Sequence, residues 1–131
     1  MWTRSYPDLD VVLIPWHTNV FYALLRGGSA LVVDPPVAEP VRQLLRDRAA
    51  QLDRILITHR DGDHVGGVPA LTQAGVQIEW PTDEERVIAW KGLAIRVLPT
   101  PGHRRGHVAY YVPDPAPGLL FSGDCLFAGG C

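Results

Sequence analysis

A sheet-rich domain of the α/β or α+β class is what this sequence predicts, and three features predict it. Its apolar residues fall mostly in short runs, several of them β-branched, as strands require. Thirteen Gly and twelve Pro supply turns between short elements and exclude a bundle of long helices. Only one extended window keeps a helical period. At 131 residues, with 47% hydrophobic and 20% charged, the chain suits one domain spanning 1–131 and excludes intrinsic disorder. A domain of this size buries about two-thirds of its extended surface, enough for one core.

Residues 9–14 and 20–25 are apolar runs, and 30–33 is a third, stopped by Asp34-Pro35-Pro36. Arg26-Gly27-Gly28-Ser29 is short and Gly-rich, as a hairpin between the second and third demands. The period then changes. Val41, Leu44, Leu45, Ala49 and Leu52 form one face of a helix within 37–52, with Pro40 tolerated only in its first turn. Ile55-Leu56-Ile57 is continuously apolar and reads as an interior strand covered on both faces. A short helical stretch, 68–74, follows Gly66-Gly67, and strands follow at 76–80, 86–90, 93–98, 108–112 and 119–121.

Twelve Lys and Arg against 14 Asp and Glu leave a net charge of −2, which removes the usual electrostatic reason to expect nucleic acid or an anionic membrane as partner. No apolar run approaches the ~20 residues that cross a bilayer. The polar start and two cysteines, Cys125 and Cys131, fit a cytoplasmic protein without a disulfide framework.

The chemistry concentrates in Thr58-His59-Arg60-Asp61-Gly62-Asp63-His64, where four potential metal ligands fall within six residues, directly after a buried strand. An extended chain points His59, Asp61 and Asp63 to one side, and Gly62 lets the chain turn so that His64 converges. Imidazole and carboxylate together suit Zn, Fe or Mn better than the oxygen-only preferences of Ca and Mg. Two later loops also follow strands: Thr100-Pro101-Gly102-His103 and Ser122-Gly123-Asp124. His103 adds a third imidazole, and Asp124 a carboxylate able to bridge two ions.

These residues resemble the metallo-β-lactamase superfamily, and within it the glyoxalase II (hydroxyacylglutathione hydrolase) branch. The resemblance runs from Thr18-Asn19 through Val33-Asp34-Pro35, Thr58 to Gly67 and Thr100 to His107, to Gly123-Asp124-Cys125-Leu126-Phe127. It implies an αββα sandwich, here incomplete on its C-terminal side, and a metal-dependent hydrolase of a thioester or related acyl substrate. His59, Asp61 and His103 would hold a first ion, Asp63 and His64 a second, and Asp124 would bridge them. The expected cofactor is zinc, one or two ions, with Fe or Mn as alternatives. Asp63 would also orient the attacking hydroxide, and Asp34 would steady a ligand imidazole.

Two departures from the family stand out. Asp61 occupies the place of the family's second His, which lowers the positive charge of the site and its Lewis acidity. The family also continues past the equivalent of Cys131 to a last metal-binding His and a segment that holds glutathione. His59, His103 and Asp124 alone would form a two-His-one-carboxylate set, similar to the mononuclear Fe(II) persulfide dioxygenases of the same superfamily. A non-catalytic metal-binding domain is the third reading. An unfinished sheet leaves edges that favour self-association into a homo-oligomer.

Among smaller signals, His107 is expected to hydrogen-bond rather than ligate, His17 to lie at the surface, and Cys125 to be a small buried hydrophobe. Arg104 and Arg105 form a solvated pair or attract an anionic substrate. Trp80 and Trp90 are expected in the core or at a sheet edge. The chain contains no Gly-x-Ser-x-Gly elbow, P-loop or dinucleotide fingerprint.

Overall fold

The computed structural model describes residues 1–73, 75–100, 107–114, 118–122 and 126–127, apart from the side chains of Asp63, Leu126 and Phe127. It divides into two compact units: Met1–Ile57 with Asp61–Glu79, and Thr58–Arg60 with Trp80–Cys131. Each carries its own sheet.

The first unit builds a six-stranded sheet in the order β1 (Trp2–Tyr6), β2 (Leu9–Trp16), β3 (Asn19–Arg26), β4 (Ser29–Val33), β5 (Gln51–Leu56), β6 (Gln77–Glu79). The first four pair antiparallel. The expected hairpin closes as read: Arg26 faces Ser29 across Gly27 and Gly28, both at positive φ, the two-residue turn whose twist suits flanking strands. Strand β3 is buried at every position from Phe21 to Leu25, so both of its faces are covered. From β4 onward the pairing is parallel, which demands a crossover, and helix α1 (Glu39–Arg48) supplies it.

The structure corrects several boundaries. Helix α1 is shorter than the 37–52 window, because Ala49 turns left-handed at φ 49° and its neighbour Ala50 N–H bonds Leu45 O at 3.0 Å. Leu52, which continues the helical period, belongs instead to β5 and packs there in the core. That strand begins at Gln51, ahead of the apolar 55–57 run, because Ser29 and Ala30 of β4 pair with Gln51 and Leu52. Arg54 Nη1 then donates to Glu79 Oε2 at 2.7 Å, tying β5 to β6. Strand β1 was not expected at all: its residues are exposed and lack an apolar run, and it forms by pairing with β2.

The second unit holds an antiparallel sheet ordered β11 (Leu126–Phe127), β10 (Leu119–Phe121), β9 (Val108–Val112), β8 (Leu93–Pro99), β7 (Arg86–Trp90). Trp90 faces Leu93 across Lys91 and Gly92, a second turn with both residues at positive φ. Strand β8 alternates strictly, with Leu93, Ile95 and Val97 buried between exposed Ala94 and Arg96. Trp90 is buried, as expected. No helix among the described residues is long and apolar enough to cross a membrane.

Candidate metal centre

Among the described residues, the polar or charged ones that are buried are Asp34, Thr58, His59 and His64. Burying such groups is costly unless each is partnered. All four lie in the motif segment or at the strand end expected to support it.

In the first unit, Asp34 follows β4 directly. Its backbone is left-handed at φ 53°, although it precedes a proline, which normally drives a residue towards extended geometry. Asp tolerates that region better than most residues, and Asp34 N–H is anchored to Leu56 O at 2.9 Å. This conformation pins the end of β4 to the end of β5. The Asp34 carboxylate, 3% exposed, accepts from His64 Nδ1 through Oδ2 at 3.1 Å. With Nδ1–H committed to a carboxylate, the imidazole keeps its Nε2 lone pair for a cation, the arrangement common to metal-bound histidines.

His64 reaches Asp34 because Gly62–Val65 coils into a single helical turn, α2. The extended chain expected at 59–63 therefore ends at Asp61. His64 N–H bonds Asp61 O at 2.9 Å, so one helical turn, and not an extended stretch, separates these two residues. The motif's two glycines explain how the turn is held. A Cβ on Gly67 would lie 2.7 Å from Val37 C and 2.8 Å from its O, and one on Gly66 would collide with Pro36 O. Gly67 N–H also bonds Pro35 O at 2.8 Å. The loop after β4 thus presses on the backbone that carries His64, and only glycine permits the approach. A second short helix, α3 (Val68–Leu71), follows at once.

In the second unit, Thr58 O accepts from Val108 N at 2.8 Å, which attaches the Thr58–Arg60 segment to the start of β9. Thr58 Oγ1 lies 2.9 Å from His59 Nδ1. The ring of His59 stacks on that of His107, with centroids 4.8 Å apart and planes 18° from parallel. His107 Nδ1 lies 2.8 Å from Thr100 Oγ1. Arg60 is exposed, and its guanidinium sits 4.5 Å from the centre of the Trp80 ring.

Of the six expected ligands, His59, Asp61 and His64 lie on described backbone with described side chains. Asp63 sits in α2, and its side chain is outside the described residues, as are His103 and Asp124 altogether. Arg104, Arg105, Cys125 and Cys131 are also outside them. His17 is exposed in the β2–β3 turn, as expected, with its ring edge-on to Trp16 at 4.7 Å. The partners that sequence reading missed are the two threonines. A Thr stands just before His59, and another, Thr100, lies across from His107; a hydroxyl beside each imidazole was the available signal.

Each unit supplies donors that suit a borderline divalent cation. His64 and His59 are buried imidazoles whose Nδ1 atoms are already engaged, His64 by the Asp34 carboxylate and His59 by the Thr58 hydroxyl.

Comparison with known proteins agrees with this chemistry. Residues 13–92 match the family model of the metallo-beta-lactamase superfamily. The hydroxyacylglutathione hydrolase of Prochlorococcus marinus is 39% identical over 157 residues, covering 98% of this chain and 59% of that protein. Its namesake in Methylobacillus flagellatus is 41% identical over 135 residues, covering 92% of this chain and 52% of that protein. The chain therefore spans a little over half the length of these curated relatives. Among solved structures, the BLEG-1 B3 metallo-beta-lactamase superposes with a TM-score of 0.76 at 25% identity, over 89% of this chain and 73% of that one.

Proposed function

The chain belongs to the metallo-beta-lactamase superfamily, and on that premise we propose that it is part of a metal-dependent hydrolase of the hydroxyacylglutathione hydrolase type, cleaving a small thioester. The observation that carries this reading is the confinement of buried polar side chains, among the described residues, to Asp34, Thr58, His59 and His64. Relatives 39–41% identical and bearing that enzyme's name support the substrate class. In this reading His59, Asp61 and His103 would hold one ion, Asp63 and His64 would hold a second, and Asp124 would serve both. The metal is zinc, and the protein works in the cytoplasm. A bound cation would supply Lewis acidity and lower the pKa of a coordinated water. The chain's own residues prepare for it: Asp34 accepts from His64 Nδ1 and Thr58 lies against His59 Nδ1; in this reading Asp63 would orient the nucleophile.

The test is elemental analysis of protein purified without added metal, paired with hydrolysis of a hydroxyacyl-glutathione thioester. Zinc at one or two ions per chain, with cleavage abolished by chelation and by His59→Ala, is the expected result. Folded protein that takes up no zinc from micromolar solution would overturn the reading. So would a single iron with oxygen uptake and no thioester cleavage.

A further inference from the structure

Thr100 and His107 hold one another through both side chain and backbone. Thr100 has one hydroxyl hydrogen, and its Oγ1 donates to the carbonyl oxygen of His107 at 3.0 Å. The same carbonyl accepts from Thr100 N at 2.9 Å, so the two residues are clasped backbone to backbone as well. A carbonyl can only accept. The second contact of Thr100 Oγ1, to His107 Nδ1 at 2.8 Å, therefore requires the ring to donate. His107 is thus held with a hydrogen on Nδ1, in one orientation, by a residue at the end of β8 opposite the start of β9.

That oriented ring lies nearly parallel to His59, 4.8 Å between centroids. His59 in turn is 8% exposed and has Thr58 Oγ1 against its Nδ1. A histidine side chain rotates about two bonds, and a ligand nitrogen aimed a few tenths of an ångström off loses much of its bond to a metal. Thr58 holds the His59 ring at its Nδ1 edge. The flat face of His107 packs along the ring plane and opposes its tilting.

We infer that His107 is a positioning residue for metal binding. Fixed by Thr100, it sets the plane of the His59 ring and hence the direction in which His59 presents Nε2. This rests on the proposed role of His59 as a ligand. His107 need not touch the metal, and a flat ring without ring nitrogens should do most of its work.

Two measurements on the full chain test it. The first is long-range nitrogen-proton NMR of the histidine rings in metal-free protein at pH 7.5. It should show His107 protonated at Nδ1, and Thr100→Val should disturb the His59 ring signals as well as those of His107. A His107 ring with Nδ1 bare overturns the inference whatever the metal does. The second is zinc affinity by chelator competition. His107→Phe should stay within about threefold of the natural protein, while His107→Ala should weaken zinc at least tenfold, the usual scale for losing a ligand's supporting group. Thr100→Val should fall between them. Equal zinc affinity in the Ala and natural proteins, or an equal loss with Phe and Ala, overturns the inference. If the natural protein itself binds no zinc, the metal reading fails first and takes this inference with it; that failure shows in the natural protein, not in the contrast among variants.

Discussion

In the unit built from β1 to β6, the imidazole of His64 leans on a buried carboxylate; in the other unit, that of His59 leans on a hydroxyl and on the face of a second ring. The two supports differ in what they demand of the fold. A carboxylate buried at 3% exposure is tolerable only while its partners hold, and its charge strengthens the hydrogen bond it accepts from His64. A threonine hydroxyl and a stacked ring bury no carboxylate beside His59, so they orient it with less at stake. One histidine is gripped hard; the other is aimed.

The largest expected effect tests that difference directly. Asp34→Ala should destabilise the protein by about 3 kcal/mol in chemical denaturation. It strands the buried Nδ1–H of His64 and leaves alanine in a left-handed backbone. Asp34→Asn, which suits that backbone and keeps an acceptor, should cost about half as much. Thr58→Val should cost only about 1 kcal/mol, the scale of one neutral hydrogen bond. Equal losses at Asp34 and Thr58 would erase the contrast.

Gly67→Ala comes next, at about 2 kcal/mol, because its Cβ would meet backbone atoms of Val37 that cannot swing away. Its effect on ring NMR signals should fall on His64 and spare His59, which sharpens the separation of the two supports. Asp61→His should act on chemistry more than on stability. An imidazole in place of the carboxylate removes a negative charge from the site, which would raise the Lewis acidity of a bound zinc, and thioester cleavage should speed up by on the order of tenfold. An unchanged or lower rate would show that the carboxylate is the fitted ligand. The smallest effect is Ala49→Gly. Relieving the left-handed alanine recovers about 1–2 kcal/mol of backbone strain and loses part of it to glycine's freedom when unfolded, for a net gain of about 0.5–1 kcal/mol. It should stabilise the first unit without altering zinc affinity.

These residues also show what could be read from sequence. The hairpin at Gly27-Gly28, the apolar strand at Ile55 to Ile57 and the cluster from His59 to His64 were all legible, because local chemistry determines them. Strand β1 was not. Trp2 and Arg4 are exposed, and their strand exists only because β2 offers an edge to pair with. The end of α1 was misplaced because Leu52 keeps helical period while parallel pairing with β4 claims it for β5. A turn at Gly62 was legible, but not its helical form, which depends on Gly66 and Gly67 admitting a loop thirty residues earlier in the chain. The support of His59 escaped for the same reason: Thr100 and His107 lie far along the chain from it, and no local pattern records a stacking partner.

The mixed pairing of the six-stranded sheet has a consequence in time. Strands β1 to β4 are joined by tight turns, so each finds its neighbour a few residues away. The β4–β5 and β5–β6 pairs must each wait for an intervening segment to be spanned, and contacts so distant in sequence form slowly. Asp34 and Leu56 meet at the seam between these two regimes. The grip on His64 therefore belongs to the slower, parallel part of this sheet, and a chain stalled in refolding would hold well-made hairpins beside an unmade support for His64.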